Sequence, residues 1–174
     1  MIVAIHGSHN SGKTTFIEQL LKKLKTHRVV VIKNSHLITL DKKNSDTYRY
    51  RNAGAKASIL RTKNETIFFI YDTDLDYSLF LAHKFNPDVI LLEGFTDIPD
   101  YGCIMVDMEQ KIEVDDVYKK ILKMKEKHKI EIFAGGHRLP LNSFVQDLYY
   151  KTIKTMVSTL QEGEHQDIEI IIKK

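Results

Sequence analysis

Two kinds of apolar pattern alternate along the chain. Ile2-Val3-Ala4-Ile5, Val29-Val30-Val31-Ile32, Thr66-Ile67-Phe68-Phe69-Ile70 and Val89-Ile90-Leu91-Leu92 are short runs with little or no polar interruption. Such a run is what a parallel strand buried on both faces requires. Between them the apolar residues fall at helical spacing. Phe16, Leu20, Leu21 and Leu24 make one face of a helix whose other side carries Glu18, Lys22, Lys23 and Lys25. Leu75, Leu79, Ala82 and Phe85 repeat that spacing before Asn86-Pro87 ends the element. Alternating strands and helices predict an α/β fold, a mostly parallel sheet flanked by helices and joined by right-handed crossovers. In such a sheet ligands sit at the carboxyl ends of the strands.

The second half is less regular. Cys103-Ile104-Met105-Val106 reads as a further strand, and Val117, Ile121, Leu122 and Met124 as the apolar side of a lysine-rich helix. From Ile130 the pattern changes. Ile130-Glu131-Ile132-Phe133 alternates, Gly135-Gly136 signals a hairpin, and Leu139-Pro140-Leu141 is the expected return strand, with Pro140 confining it to an edge. Asn142 or Ser143 then caps a helix with a stripe of Phe144, Val145, Leu148, Ile153, Met156, Val157 and Leu160, and Ile168 to Ile172 forms a last strand. This divides the chain into a core, residues 1–129, and an extension packed on it, residues 130–174.

Composition narrows the classes of function. At 174 residues the chain can bury a substantial core. Its net charge of +3 and pI of 8.8 are mild, and the lysines are spread over helices, which argues against a nucleic-acid partner. No apolar run approaches the roughly 20 residues that cross a bilayer, and the first residues enter a strand directly, so a cytoplasmic location without membrane contact is expected. The lone Cys103 is expected to act as a small buried hydrophobe.

Chemistry concentrates where the strands end. Gly7-Ser8-His9-Asn10-Ser11-Gly12-Lys13-Thr14 is a full G-x-x-x-x-G-K-[ST] phosphate loop, followed by Thr15 and set between an apolar strand and an amphipathic helix. The glycines let the backbone curl so that successive N–H groups point at a phosphate, and the helix N-terminus adds to the field. Lys13 is expected to reach the β and γ oxygens and the Thr14 hydroxyl to ligate Mg²⁺. The strand ending at Leu92 runs into Glu93-Gly94-Phe95, which puts a carboxylate at a Walker-B-like position, fit to hold Mg²⁺ through a water or to orient an attacking water. After the second strand come Lys33-Asn34-Ser35-His36, Asp41 and Ser45 to Ala55. There Asp46 could cap the next helix while Arg49 and Arg51 offer guanidinium groups to phosphate oxygens; taken alone, these residues favour a merely capped, charged surface helix.

Four blocks in order, Gly7 to Thr15, Val31-Ile32-Lys33 with His36 and Asp41 downstream, Asp46-Thr47-Tyr48-Arg49 leading to Ala53-Gly54-Ala55, and Leu91 to Phe95, resemble the MobB family of molybdopterin-guanine dinucleotide biosynthesis proteins. Leu139 to Val145 and Met156 to Leu160 resemble the extension of some members. Between Lys33 and Asp46 this chain departs from the family's His-rich loop: Asn34, Ser35 and Leu37 leave only His36. The resemblance implies a P-loop NTPase fold and a homodimeric GTP-binding accessory factor with weak Mg²⁺-dependent GTPase activity. Its implied partners are the guanylyltransferase that attaches GMP to molybdopterin, and molybdopterin or its dinucleotide. It implies Lys13 and Glu93 as catalytic groups, Gly7 to Thr15 with Arg49 as the phosphate-binding set, and Thr14, Glu93 and Asp41 around Mg²⁺. Two other readings stay open: a small-molecule kinase or ATP-dependent ligase of the same fold, and a metallochaperone-type GTPase, for which His6, His9 and six other dispersed histidines are the only candidate ligands. No Asn-Lys-x-Asp element that would read guanine is present, so the choice of GTP follows from the resemblance.

Overall fold

An apolar strand is stable only where both of its faces are covered, and the centre of the sheet obeys this. The computed structural model describes residues 1–71, 73–96, 98, 103–124, 130, 132–135 and 137–159. In chain order these form β1 (Ile2–His6), α1 (Lys13–Lys23), β2 (Val29–Lys33), α2 (Asp46–Asn52), β3 (Ala57–Arg61), β4 (Thr66–Ile70), α3 (Leu75–His83), β5 (Val89–Glu93), β6 (Ile104–Asp107), α4 (Val114–Met124), β7 (Phe133–Ala134), β8 (His137–Arg138) and α5 (Ser143–Ser158). Four strands make a fully parallel sheet in the order β2-β5-β1-β6. On one face Val3 and Ile5 of β1 join Val89 and Leu91 of β5 beneath Phe16, Ile17 and Leu20 of α1 and Val117 and Ile121 of α4. On the other, Ile2 and Ala4 join Ile90 and Leu92 beneath Leu79 and Ala82 of α3. Each fully buried leucine contributes roughly 1.5–3 kcal/mol, so these two layers fix the register that brings the carboxyl ends of β1, β2 and β5 together. The parallel α/β architecture expected from the sequence is the one observed.

Several details differ. Thr66–Ile70 is a strand, but it pairs antiparallel with β3, which the apolar pattern did not reveal, in a hairpin outside the parallel sheet. Thr62 closes its turn, its N–H donating to the Glu65 carbonyl at 2.8 Å and its Oγ1 accepting from Glu65 N at 2.9 Å. Ile59 and Phe68 of this hairpin are exposed rather than buried. β2 is parallel but lies at the sheet edge, so Val31 keeps 40% of its surface. Phe85 falls beyond the end of α3 and is exposed. Cys103 is only half-buried.

The later hairpin is present but short. Phe133–Ala134 pairs with His137–Arg138, and Pro140 lies beyond that ladder. Asn142 caps α5, accepting from Val145 N at 2.9 Å; no described residue of the helix is fully buried, and along its apolar stripe Val145, Ile153 and Val157 are half-buried while Phe144, Leu148 and Met156 are exposed. Gly136, Leu160 and the strand expected at 168–172 lie outside the described residues.

Candidate functional site

The phosphate loop leaves β1 at Gly7, whose φ of +147° suits glycine and whose surroundings admit nothing larger. A Cβ there would stand 2.7 Å from Ser11 Oγ and 2.8 Å from Met108 Cβ. Gly12, at φ +84°, turns the chain in the left-handed region directly into α1. No side chain caps that helix and its first turn carries no acidic residue, so the positive end of its dipole faces the loop. Lys13 folds back across the loop, its Nζ donating to the carbonyls of Gly7 at 2.9 Å and Ser8 at 2.5 Å. The outer wall comes from the turn after β6, where Glu109 Oε1 accepts the Ser8 N–H at 2.8 Å. That backbone hydrogen bond holds the Glu109 carboxyl below its usual range.

Glu93, the last residue of β5, is buried, and its Oε1 receives two donors: Thr14 Oγ1 at 2.9 Å and Lys33 Nζ at 2.7 Å. Burial pushes the Glu93 carboxyl up, but the hydrogen bonds from Lys33 and Thr14 and the charges of Lys33 and Lys13 outweigh it and hold the group below the ordinary range. The carboxylate is therefore ionised at neutral pH. Register explains the pairing, because Lys33 stands opposite Glu93 across the β2–β5 ladder while β1 pairs with β5 through Ile5 opposite Glu93. Just beyond, Asn34 N donates to Glu93 O at 2.8 Å and Asn34 Nδ2 to Gly94 O at 3.2 Å, with Gly94 at φ +78°. These residues fit a divalent cation. The Thr14 proton is committed to Glu93, which leaves the hydroxyl's lone pairs free to ligate a metal beside an anionic carboxylate.

Of the residues singled out in the sequence, Lys13, Thr14 and Glu93 converge here. His9, Asn10 and Thr15 are exposed on the loop and the first turn of α1. Asp41 is buried but engaged in its own loop, where its Oδ1 accepts from Ser45 Oγ and Thr47 Oγ1, each at 2.7 Å. Its Oδ2 is buried without a partner, and among the described residues no hydrogen bond links it to Thr14 or Glu93. The cap of α2 is Ser45, accepting from Tyr48 N at 3.1 Å, and not Asp46, which occupies the first turn. A serine hydroxyl anchored on Asp41 is already aimed at that N–H. Arg49 is exposed and pairs with Asp46 at 3.5 Å. Among the described residues no group of three or more His, Cys, Asp or Glu side chains gathers into a metal site. Lys33 and Glu109 were not in the expected site. Lys33 needed the strand order to be seen opposite Glu93, and no local signal marks Glu109.

A parallel sheet with a glycine-rich loop between its central strand and the next helix, and an acid closing the neighbouring strand against the loop's threonine, defines a P-loop α/β protein. The model of the family described as molybdopterin guanine dinucleotide synthesis protein B, MobB, matches residues 2–115. A Methanocaldococcus jannaschii protein provisionally named as a molybdopterin-guanine dinucleotide biosynthesis adapter is 31% identical over 140 residues, 69% of this chain and 60% of that one. The Haemophilus influenzae molybdopterin-guanine dinucleotide biosynthesis adapter protein is 30% identical over 138 residues, 75% of this chain and 77% of that protein. Among solved structures, Bacillus subtilis MobB is 21% identical with a TM-score of 0.47, covering 68% of this chain and 96% of that one. A Bacillus stearothermophilus MobB homologue is 16% identical with a TM-score of 0.43, covering 91% and 99%. The chain belongs to the MobB family.

Proposed function

We propose that this protein is a GTP-binding adapter in molybdopterin guanine dinucleotide biosynthesis, working as a homodimer beside a guanylyltransferase and hydrolysing GTP slowly. The observation that carries the reading is the contact of Thr14 with the ionised Glu93 at the mouth of the phosphate loop. In this reading the loop amides and Lys13 hold the β and γ phosphates. Thr14 and Glu93 hold Mg²⁺, with Asp41 and its uncommitted Oδ2 as a further candidate for a metal-bound water. The metal's contribution is to neutralise charge on the phosphates. Glu93 positions a water, and Arg49, exposed on α2 and held only by its solvent-exposed pair with Asp46, would meet a phosphate of the pterin or of the partner. The adapter role, the partner and the preference for GTP rest on family membership. A phosphate loop favours chemistry at the γ-phosphate, whereas guanylyl transfer needs attack at the α-phosphate, which is why the chain is read as helper and not as transferase.

The test is twofold. In titrations with Mg²⁺ present, GTP is expected to bind at least about tenfold more tightly than ATP, a difference of about 1.4 kcal/mol. Given GTP, Mg²⁺ and molybdopterin, the protein alone should make no dinucleotide, while added to a guanylyltransferase it should raise yield or rate. Equal affinities favour the kinase or ligase reading, and dinucleotide formation unaided overturns the adapter reading.

A further inference from the structure

The Glu93 carboxylate is buried, yet one of the two donors on its Oε1 is the terminus of a side chain that is itself 58% exposed. Lys33 thus reaches inward from solvent to place an ammonium 2.7 Å from the oxygen that also accepts the Thr14 hydroxyl. A carboxylate this buried needs a positive partner, since ionised groups removed from water are costly when unpaired. No other basic side chain donates to it among the described residues: Lys13, also close enough to lower its pKa, is tied to Gly7, Ser8 and Ser11. The backbone fixes where Lys33 sits. It closes β2 opposite Glu93, and the following residue is hydrogen-bonded to Glu93 and Gly94. The long stem nevertheless lets the ammonium swing out into water without disturbing that backbone.

We propose that Lys33 is a tethered cation that satisfies Glu93 when no divalent metal is present and competes with Mg²⁺ for the same carboxylate, so that Lys33 sets the metal affinity of the phosphate-loop site. The inference rests on the metal-nucleotide reading given above. A positioning residue of this kind weakens the binding of free Mg²⁺ and lets the metal bind more tightly when nucleotide phosphates supply additional ligands. Displaced from Glu93, the exposed ammonium turns out into water, which solvates it in place of the lost partner.

The experiment titrates MgCl₂ into wild-type, Lys33→Met, Lys33→Gln and Lys33→Arg proteins, with thermal unfolding as the readout, without nucleotide and at fixed GTP. Both neutral variants should lose stability in the absence of metal and regain it with Mg²⁺, and their half-saturating Mg²⁺ concentration should fall about tenfold, the scale of one charge-assisted hydrogen bond removed from competition. Lys33→Arg should stay within about twofold of wild type. A midpoint unchanged or raised in both neutral variants overturns the proposal. So does failure of both to fold even with Mg²⁺, which would make Lys33 a structural support only. If the wild type binds Mg²⁺ and GTP while the midpoints do not move, this inference alone fails; if the wild type responds to neither, the reading beneath it fails too.

Discussion

Replacing Gly7 by alanine tests the idea that the loop is shaped by close packing on the turn after β6 as well as by its own sequence. The new methyl carbon would lie 2.7 Å from Ser11 Oγ and 2.8 Å from Met108 Cβ, against an ordinary carbon contact of about 3.5–4.0 Å. Ser11 can rotate its hydroxyl away. Met108 cannot do the same, because its Cβ is fixed to the backbone, and the adjoining Glu109 is hydrogen-bonded to Ser8 N. Relief therefore requires the loop and the turn to part. A backbone conformation reserved for glycine costs about 1–3 kcal/mol, and an overpacked methyl about 1–3 kcal/mol more. With roughly 4 kcal/mol as the middle of the summed range and about 2–4 °C per kcal/mol for a chain of this size, Tm should fall by about 8–16 °C. Gly12→Ala provides the control, since its Cβ would meet nothing within 4 Å and only the φ of +84° is penalised; about 1–2 kcal/mol and a smaller fall are expected. Thermal unfolding of both variants, with GTP titration of Gly7→Ala, reads the effect. If the loop yields, Gly7→Ala should bind GTP up to roughly a hundredfold more weakly. A Gly7→Ala protein as stable as Gly12→Ala, with wild-type affinity, would refute the argument from Met108.

On the proposed reading, Lys13→Ala and Thr14→Ala should each abolish measurable binding of Mg·GTP in calorimetry while circular dichroism stays native, because they remove the charge proposed to meet the phosphates and the hydroxyl proposed to ligate the metal. Glu93 is held below its ordinary value of 4.5, so its contribution to stability is present above that value and is lost as pH falls through the lower, folded value; Glu93→Gln should therefore lose less stability than wild type when acid unfolding is followed below about pH 4.5. Asp41→Ala strips the Ser45 and Thr47 hydroxyls of a buried acceptor and should lower stability by about 2–4 kcal/mol in urea unfolding. Arg49→Ala, at an exposed pair, should leave stability within about 0.5 kcal/mol yet impair dinucleotide formation in the reconstituted reaction more than it impairs GTP binding; normal yield would return Arg49 to an ordinary surface role.

The sequence by itself determined the central strands and the phosphate loop. Ile2 to Ile5 and Val89 to Leu92 are apolar at every position because both faces of β1 and β5 are covered. The loop is legible because its chemistry is local: glycines at two turns, a lysine and a hydroxyl at fixed offsets, and a helix directly behind them. Glu93 was legible for the same reason, as an acid that ends an apolar run. The hairpin of β3 and β4 was not. Thr66 to Ile70 carries the same run of β-branched and aromatic residues as a buried strand, and nothing within the segment tells it whether its partner will be the central sheet or Ala57 to Arg61. Likewise, a lysine closing one strand and a turn following another acquire roles only when β2, β5, β1 and β6 settle into order. That order places Lys33 on Glu93, 60 residues away, and Glu109 on Ser8, 101 residues away. Burial of the two apolar layers selects the register, and the register, rather than any local propensity, decides which charges meet.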